Sequence, residues 1–156
     1  MKVLSTMSRE VISVGPDDPL PEVYELMVEE EIRHIPVMEY DKVIGILSRG
    51  DVLLQAVPDD RKAYIPDVKV KDAMTPDPIT CTETSQISQV ARVMVNEKID
   101  CLPVVRGDTL IGMITSSDIL AIVAGQTFFE VSRLVSDRFR LTNWRKYRAR
   151  MASAPL

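Results

Sequence analysis

Histidine and cysteine are scarce in this chain of 156 residues: one histidine, His34, and two cysteines, Cys81 and Cys101. A single imidazole excludes multi-histidine metal sites, and two cysteines far apart in sequence build neither a disulfide framework nor a metal-ligand cluster. Both cysteines fall beside apolar residues in or at the edge of a predicted strand, and they read as small buried hydrophobes. No run approaches the roughly 20 apolar residues that a membrane helix needs. The opening residues Met1 to Met7 lack the long apolar stretch of a secretory leader. A cytoplasmic protein with no membrane association is expected. Also missing are a P-loop, a G-x-G-x-x-G and a nucleophile set beside a base, so no catalysis and no catalytic cofactor are expected. What is present is ordinary for a soluble globular protein: 46% hydrophobic and 27% charged residues.

Charge is unevenly placed. From Gln126 onward there are seven basic residues and two acidic ones, a balance of +5; since the whole chain is −4, residues 1–125 carry −9. An acidic body therefore ends in a basic tail.

The sequence is also written twice. Met7-Ser8 recurs as Met74-Thr75, and the same offset of 67 carries Ile12 to Ile79, Val23 to Val90 and Met27-Val28 to Met94-Val95. It continues through Pro36-Val37 to Pro103-Val104, Ile44-Gly45 to Ile111-Gly112, and Asp51 to Asp118, without a gap. A register held that long is a duplication.

Each copy reads as β-α-β-β-α. Val11 to Val14 is short and β-branched, and Gly15-Pro16-Asp17-Asp18-Pro19 interrupts it. Leu20, Val23, Tyr24 and Met27 then recur with helical spacing, which predicts a helix over 20–31. Strands over 34–39 and 42–47 follow, joined at Tyr40-Asp41, and a last helix runs from after Ser48 to about Ala56. The second copy repeats this with strand 78–82, helix 87–98, strands 101–106 and 109–114, and helix 116–124, Gly107-Asp108 making its turn. The expected division is repeat 7–56, linker 57–73, repeat 74–124 and a basic helical extension over 125–156. Some fifty residues per copy leave too much apolar surface uncovered, so the copies are expected to pack sheet on sheet with pseudo-two-fold symmetry.

The strongest local signal is Gly45-Ile46-Leu47-Ser48-Arg49-Gly50-Asp51, matched by Gly112-Met113-Ile114-Thr115-Ser116-Ser117-Asp118. Both have the form G-h-h-[ST]-x-x-D where a strand meets a helix. Structurally this is a helix start, with Ser48 or Thr115 as N-cap and the aspartate in the first turn. Chemically, a hydroxyl and a carboxylate there suit the adjacent hydroxyls of a ribose, and the free N–H groups of a helix start favour phosphate.

The duplicated unit resembles the CBS domain, named for cystathionine β-synthase, and the pair resembles a stand-alone Bateman module. The resemblance covers residues 7–124 and is carried by Met-[Ser/Thr], Ile32 to Val37, Ile99 to Val104 and the two G-h-h-[ST]-x-x-D ends. It implies an α/β fold and an adenosine compound (AMP, ADP, ATP or S-adenosylmethionine) in a cleft between the repeats. By resemblance, Asp51 and Asp118 hold ribose hydroxyls, while Ser48 and Thr115 contact ribose or phosphate. Adenine then lies against Ile12, Ser13, Ile35 and Pro36 in one site, and against Ile79, Thr80, Leu102 and Pro103 in the other. Arg33 and His34 stand where the family often faces phosphate, with Arg49 a further cation; the second copy has Asp100 and Cys101 there, so the two sites are expected to differ. The implied role is that of a homodimeric sensor acting on an unknown partner protein. The alternative is a structural or oligomerisation module with empty clefts, its basic tail contacting a partner protein or nucleic acid.

In the tail, Phe128, Val131, Leu134-Val135 and Phe139 recur at helical spacing, with Trp144 beyond. An amphipathic helix docked on the body or on a second subunit is expected. Arg138, Arg140, Arg145, Lys146, Arg148 and Arg150 come without a nucleic-acid motif, so a nucleic-acid patch is not the expected reading, and they equally suit the acidic body of a partner subunit.

Overall fold

A computed structural model describes residues 1–125 and 140–154. The expected tail helix through Phe128, Val131, Leu134, Val135 and Phe139 lies outside the described residues. Two compact units emerge, one of Ile12–Pro78 with Thr142–Leu156 and one of Met1–Val11 with Ile79–Leu141. They are called here the first and second unit.

Strand β1 (Glu10–Ser13) enters the first unit at Ile12 and leads into α1 (Leu20–Glu29), β2 (His34–Glu39), β3 (Lys42–Ser48) and α2 (Arg49–Leu54). Prolines open α1, at its N-cap and in its first turn, where their fixed φ suits the helix and no amide is missed. Its inward face, Leu20, Val23, Leu26 and Met27, is fully buried, each side chain contributing about 1.5–3 kcal/mol by leaving water. Glu31, in the left-handed region at φ 55°, ends the turn, as Lys98 does at φ 55° in the second copy. The β2–β3 hairpin closes through Tyr40 and Asp41 at φ 46° and 65°, a two-residue turn with both residues left-handed. Val14 lies parallel to Val37, its N–H donating to the Pro36 carbonyl.

The second unit repeats the pattern with β5 (Cys81–Thr82), α4 (Ile87–Glu97), β6 (Cys101–Arg106), β7 (Thr109–Thr115) and α5 (Ser116–Val123). Cys81 stands parallel to Val104 as Val14 does to Val37, and both hairpins carry a bulge at the same place, Val37/Met38 and Val104/Val105. The α/β architecture of duplicated repeats expected from the sequence is present.

Each unit is completed by the segment written ahead of the other copy. In the first unit, α3 (Val70–Ala73) and β4 (Thr75–Pro76) follow the linker, and Thr75 pairs with Ile46 at the edge of β3. In the second, a 3₁₀ turn (Val3–Ser5) precedes Ser8, which pairs with Met113 of β7. The anchoring bonds are the same set. Leu20, Val70 and Lys71 amides donate to Val68, Asp18 and Pro16 carbonyls; Ile87, Val3 and Leu4 amides donate to Met1, Ser85 and Glu83 carbonyls. Val70 and Val3, 67 residues apart, are each fully buried in their unit's core.

This close approach explains the motif glycines. A Cβ on Gly45 would stand 2.5 Å from the Met74 sulfur and 3.1 Å from the Thr75 carbonyl oxygen; on Gly112 it would stand 2.8 Å from the Met7 sulfur and 2.9 Å from the Ser8 oxygen. Only glycine lets the added strand lie so near.

The tail's described part is β8 (Arg140–Asn143), which pairs with β1, and a last helix, α6 (Trp144–Ala152). Trp144 is 2% exposed and belongs to the first unit's core with Val14, Leu20 and Val70. Helix α6 is docked on the first unit, with Arg148 facing Glu25 and Glu29 of α1 and Arg145 facing Asp18.

Candidate functional site

Strand β3 ends where α2 begins, and the join is a closed capping box. The Ser48 amide donates to Asp51 Oδ2 at 2.8 Å, and the Asp51 amide donates to Ser48 Oγ at 3.0 Å. The second unit builds the same box at the start of α5: the Thr115 amide donates to Asp118 Oδ2 at 2.7 Å, and the Asp118 amide to Thr115 Oγ1 at 3.4 Å. Thr115 Oγ1 also donates to Asp118 Oδ2 at 2.9 Å. Each carboxylate thus spends Oδ2 on its own helix start, while Oδ1 takes no hydrogen bond among the described residues. Both aspartates are half-buried. Burial raises the carboxyl of Asp118 above its ordinary range, against the lowering pull of its two Thr115 hydrogen bonds.

One backbone bond fixes the residues before β2 and β6 against these helix starts. The Arg49 amide donates to the Arg33 carbonyl, and the Ser116 amide to the Asp100 carbonyl, both at 2.9 Å. His34 stands opposite Ser48 in the β2–β3 register, and Cys101 opposite Thr115 in β6–β7. The structure therefore brings Arg33, His34, Ser48 and Asp51 together in the first unit. Asp100, Cys101, Thr115 and Asp118 come together in the second, where burial pushes the Cys101 thiol up to about 12.

The strands supply the apolar side. Ile35 and Pro36 are buried in β2, Ser13 is 5% exposed, and Ile12 is half-buried against the core. In the second unit Leu102 and Pro103 are likewise buried in β6, but Ile79 is 43% exposed and Thr80 is exposed ahead of β5. The two copies differ in exposure at this position.

Arg49 needs a correction. Its guanidinium is not available as a phosphate ligand: Nη2 donates to the Met27 carbonyl at 2.9 Å and to the Ile32 carbonyl at 3.2 Å, closing the C-terminal end of α1. Its charge still lies beside the helix start.

Asp18, which the sequence marks only as part of a turn, organises the first unit. Asp18 Oδ2 accepts the Gly15 amide at 2.7 Å and the Trp144 indole N–H at 2.8 Å, while Oδ1 accepts from Arg145 at 3.3 Å. The turn before α1 and the C-terminal segment are thereby tied to one carboxylate. The Gly-Pro-Asp-Asp-Pro run marked the turn, but nothing local ties it to a tryptophan 126 residues away.

No helix among the described residues is long and apolar enough to cross a membrane, and no group of His, Cys, Asp or Glu among them is arranged to hold a metal ion.

Comparison with known proteins bears on the fold and the family. An inosine-5′-monophosphate dehydrogenase of Korarchaeum cryptofilum is 36% identical over 116 residues, 74% of this chain but 23% of that protein. A second, from Methanocaldococcus jannaschii, is 35% identical over 72% of the chain. The chain spans less than a quarter of the length of these dehydrogenases. A CBS domain-containing protein of Bacillus subtilis, YhcV, is 25% identical over 75% of this chain and 81% of its own. Among solved structures, the CBS domain pair of protein MJ0100 in complex with 5′-methylthioadenosine and S-adenosyl-L-methionine superposes with a TM-score of 0.68 at 24% identity, covering 81% of this chain and 98% of that one. CBSX2 in complex with AMP gives 0.66 at 23% identity, covering 85% and 98%. The CBS domain family model matches residues 3–57 and 70–125, beginning at the two buried valines Val3 and Val70, and the chain belongs to that family.

Proposed function

We infer that the protein is a regulatory module in which each unit binds an adenosine compound and passes the occupied state to a partner protein. The observation that carries this reading is the carboxylate with one unspent oxygen, set at a helix start beside a buried apolar strand pair, and built twice. Asp51 and Asp118 would accept the ribose hydroxyls on Oδ1, with Ser48 and Thr115 alongside. Adenine would lie against Ile12, Ser13, Ile35 and Pro36 in the first unit and against Ile79, Thr80, Leu102 and Pro103 in the second. A flat neutral purine suits such an apolar wall with a few backbone polar groups. Two solved CBS pairs of the same fold hold AMP in one case and 5′-methylthioadenosine with S-adenosyl-L-methionine in the other.

The charge difference between the units argues for different 5′ substituents. Arg33, His34 and Arg49 favour a phosphorylated adenosine (AMP, ADP or ATP) in the first unit. Asp100, standing where the first unit has Arg33, favours an uncharged or cationic 5′ group, such as a thioether or sulfonium, in the second. Calorimetric titration of the full chain with AMP, ATP and S-adenosyl-L-methionine tests the reading. Binding should be lost selectively, the phosphorylated ligand in Asp51→Ala and the sulfonium ligand in Asp118→Ala. No heat of binding and no thermal stabilisation with any of the three would end it.

A second reading has one observation in its favour. Leu53 and Leu54 of α2 are 51% and 84% exposed, and Leu120 and Val123 of α5 are 65% and 79% exposed. Leu53 and Leu120 are repeat-equivalent, with Leu54 and Val123 bare on the same helices; each helix offers its unit an assembly face, and we propose a homodimer closed through these faces. Light scattering on Leu54→Glu, which should lower the mass to that of one chain, tests it.

A further inference from the structure

We propose that the C-terminal segment 140–152 is a positioning strap for the adenosine site of the first unit, so that its docking and ligand binding strengthen each other. This rests on the adenosine reading above and adds to it the element that would report occupancy.

The geometry at β1 sets the sign of the coupling. The Val14 N–H and C=O both bond to β2, through Pro36 and Met38, and β8 is the strand paired with β1. The strap thus holds the strand against which the purine would lie. A strand already held costs less to order when a ligand settles on it, so docking and binding strengthen each other.

Docking is specific. Trp144 fills the core that also holds Val14, and Ile12 packs against the same cluster. The indole N–H bonds to Asp18, Tyr147 Oη donates to Glu30 at 2.6 Å, and Arg148 lies 3.4 Å from Glu29 and 3.9 Å from Glu25. The second unit has no counterpart among the described residues. Its β5 is two residues long and stands at the open edge of its sheet, with Ile79 and Thr80 exposed.

Hydrogen exchange read by mass spectrometry tests the coupling on the full chain, with AMP as the probe and binding checked by calorimetry. Opening of the strap sets the exchange rate of amides in 144–152. Saturating AMP should slow those amides about five-fold or more. The slowing should vanish in Asp51→Asn, and in Asp51→Ala should the amide retain the carboxylate's role, and it should persist in Asp118→Asn. AMP binding that leaves exchange over 144–152 unchanged overturns the coupling while leaving the adenosine reading intact. Failure of AMP, ATP and S-adenosyl-L-methionine to bind the unaltered chain overturns both.

Discussion

Replacing Trp144 by alanine should cost the protein much of its margin of stability. The side chain is 2% exposed and shares a core with Val14, Leu20, Val23, Leu26, Met27, Ile35, Val37, Leu47, Val52 and Val70. Truncating a buried tryptophan to alanine removes about 3–5 kcal/mol, part by lost transfer from water and part by the cavity left behind. The indole N–H bond to Asp18 is included in that figure; Trp144→Phe isolates it, with an expected cost of about 1.5–3 kcal/mol for a bond to a carboxylate. For a chain of this size each kcal/mol lowers the melting midpoint by about 2–4 °C. Trp144→Ala should therefore melt roughly 6 to 20 °C lower, and Trp144→Phe should fall between it and the unaltered protein. Circular dichroism reads both variants. Trp144 is the only tryptophan, so the emission of the unaltered protein should be blue-shifted as for a buried indole, moving red at the same denaturant concentration that unfolds the first unit. A solvent-like emission maximum, or an alanine variant melting within about 2 °C of the original, would refute the placement of this helix.

Gly45→Ala and Gly112→Ala should each destabilise by about 1–3 kcal/mol in chemical denaturation, because the new methyl meets a neighbouring backbone oxygen that cannot swing away. Burial pushes the thiols of Cys81 and Cys101 up to about 11 and about 12, so both should resist iodoacetamide at pH 8 in the native state and react on unfolding; rapid native labelling of Cys101 would contradict its burial. Asp118 has its folded pKa raised by burial, so the folded state favours its protonated form. Its contribution to stability is therefore present at low pH and is lost as pH rises through the folded value. Denaturation curves of Asp118→Asn against pH should lack that component. Ribose hydroxyls donate to a carboxylate but less well to a carboxylic acid, so S-adenosyl-L-methionine binding should weaken as pH falls through the same value, measured by calorimetry.

Much of this fold is legible in the sequence because it rests on local pattern. Apolar spacing at Leu20, Val23 and Met27 marks a helix face, and Tyr40-Asp41 sits between two β-branched runs. Ser48-x-x-Asp51 and Thr115-x-x-Asp118 announce their own helix starts, and the structure closes both boxes. What stayed hidden depends on distant partners. Arg49 reads as one more exposed cation until the C-terminal carbonyls of α1 come to rest against it. Trp144 stands among arginines and a lysine with no local spacing that marks it as core, and the Asp18 carboxylate and its packing with Val14 make it a core residue. Periodicity likewise says nothing about which sheet a two-residue strand such as Thr75–Pro76 will join.

The anchoring of Val3 and Val70 has a bearing on how this chain can be divided. A fragment ending near residue 67 would retain Val3 and Met7, whose sockets lie among Val90, Leu102 and Ile114, and would lack Val70 and Met74, which cover its own β3. A gene cut midway thus yields two pieces, each carrying its sibling's cover and missing its own. Split-protein reporters or half-length expression clones of this chain should solubilise only when both pieces are made together.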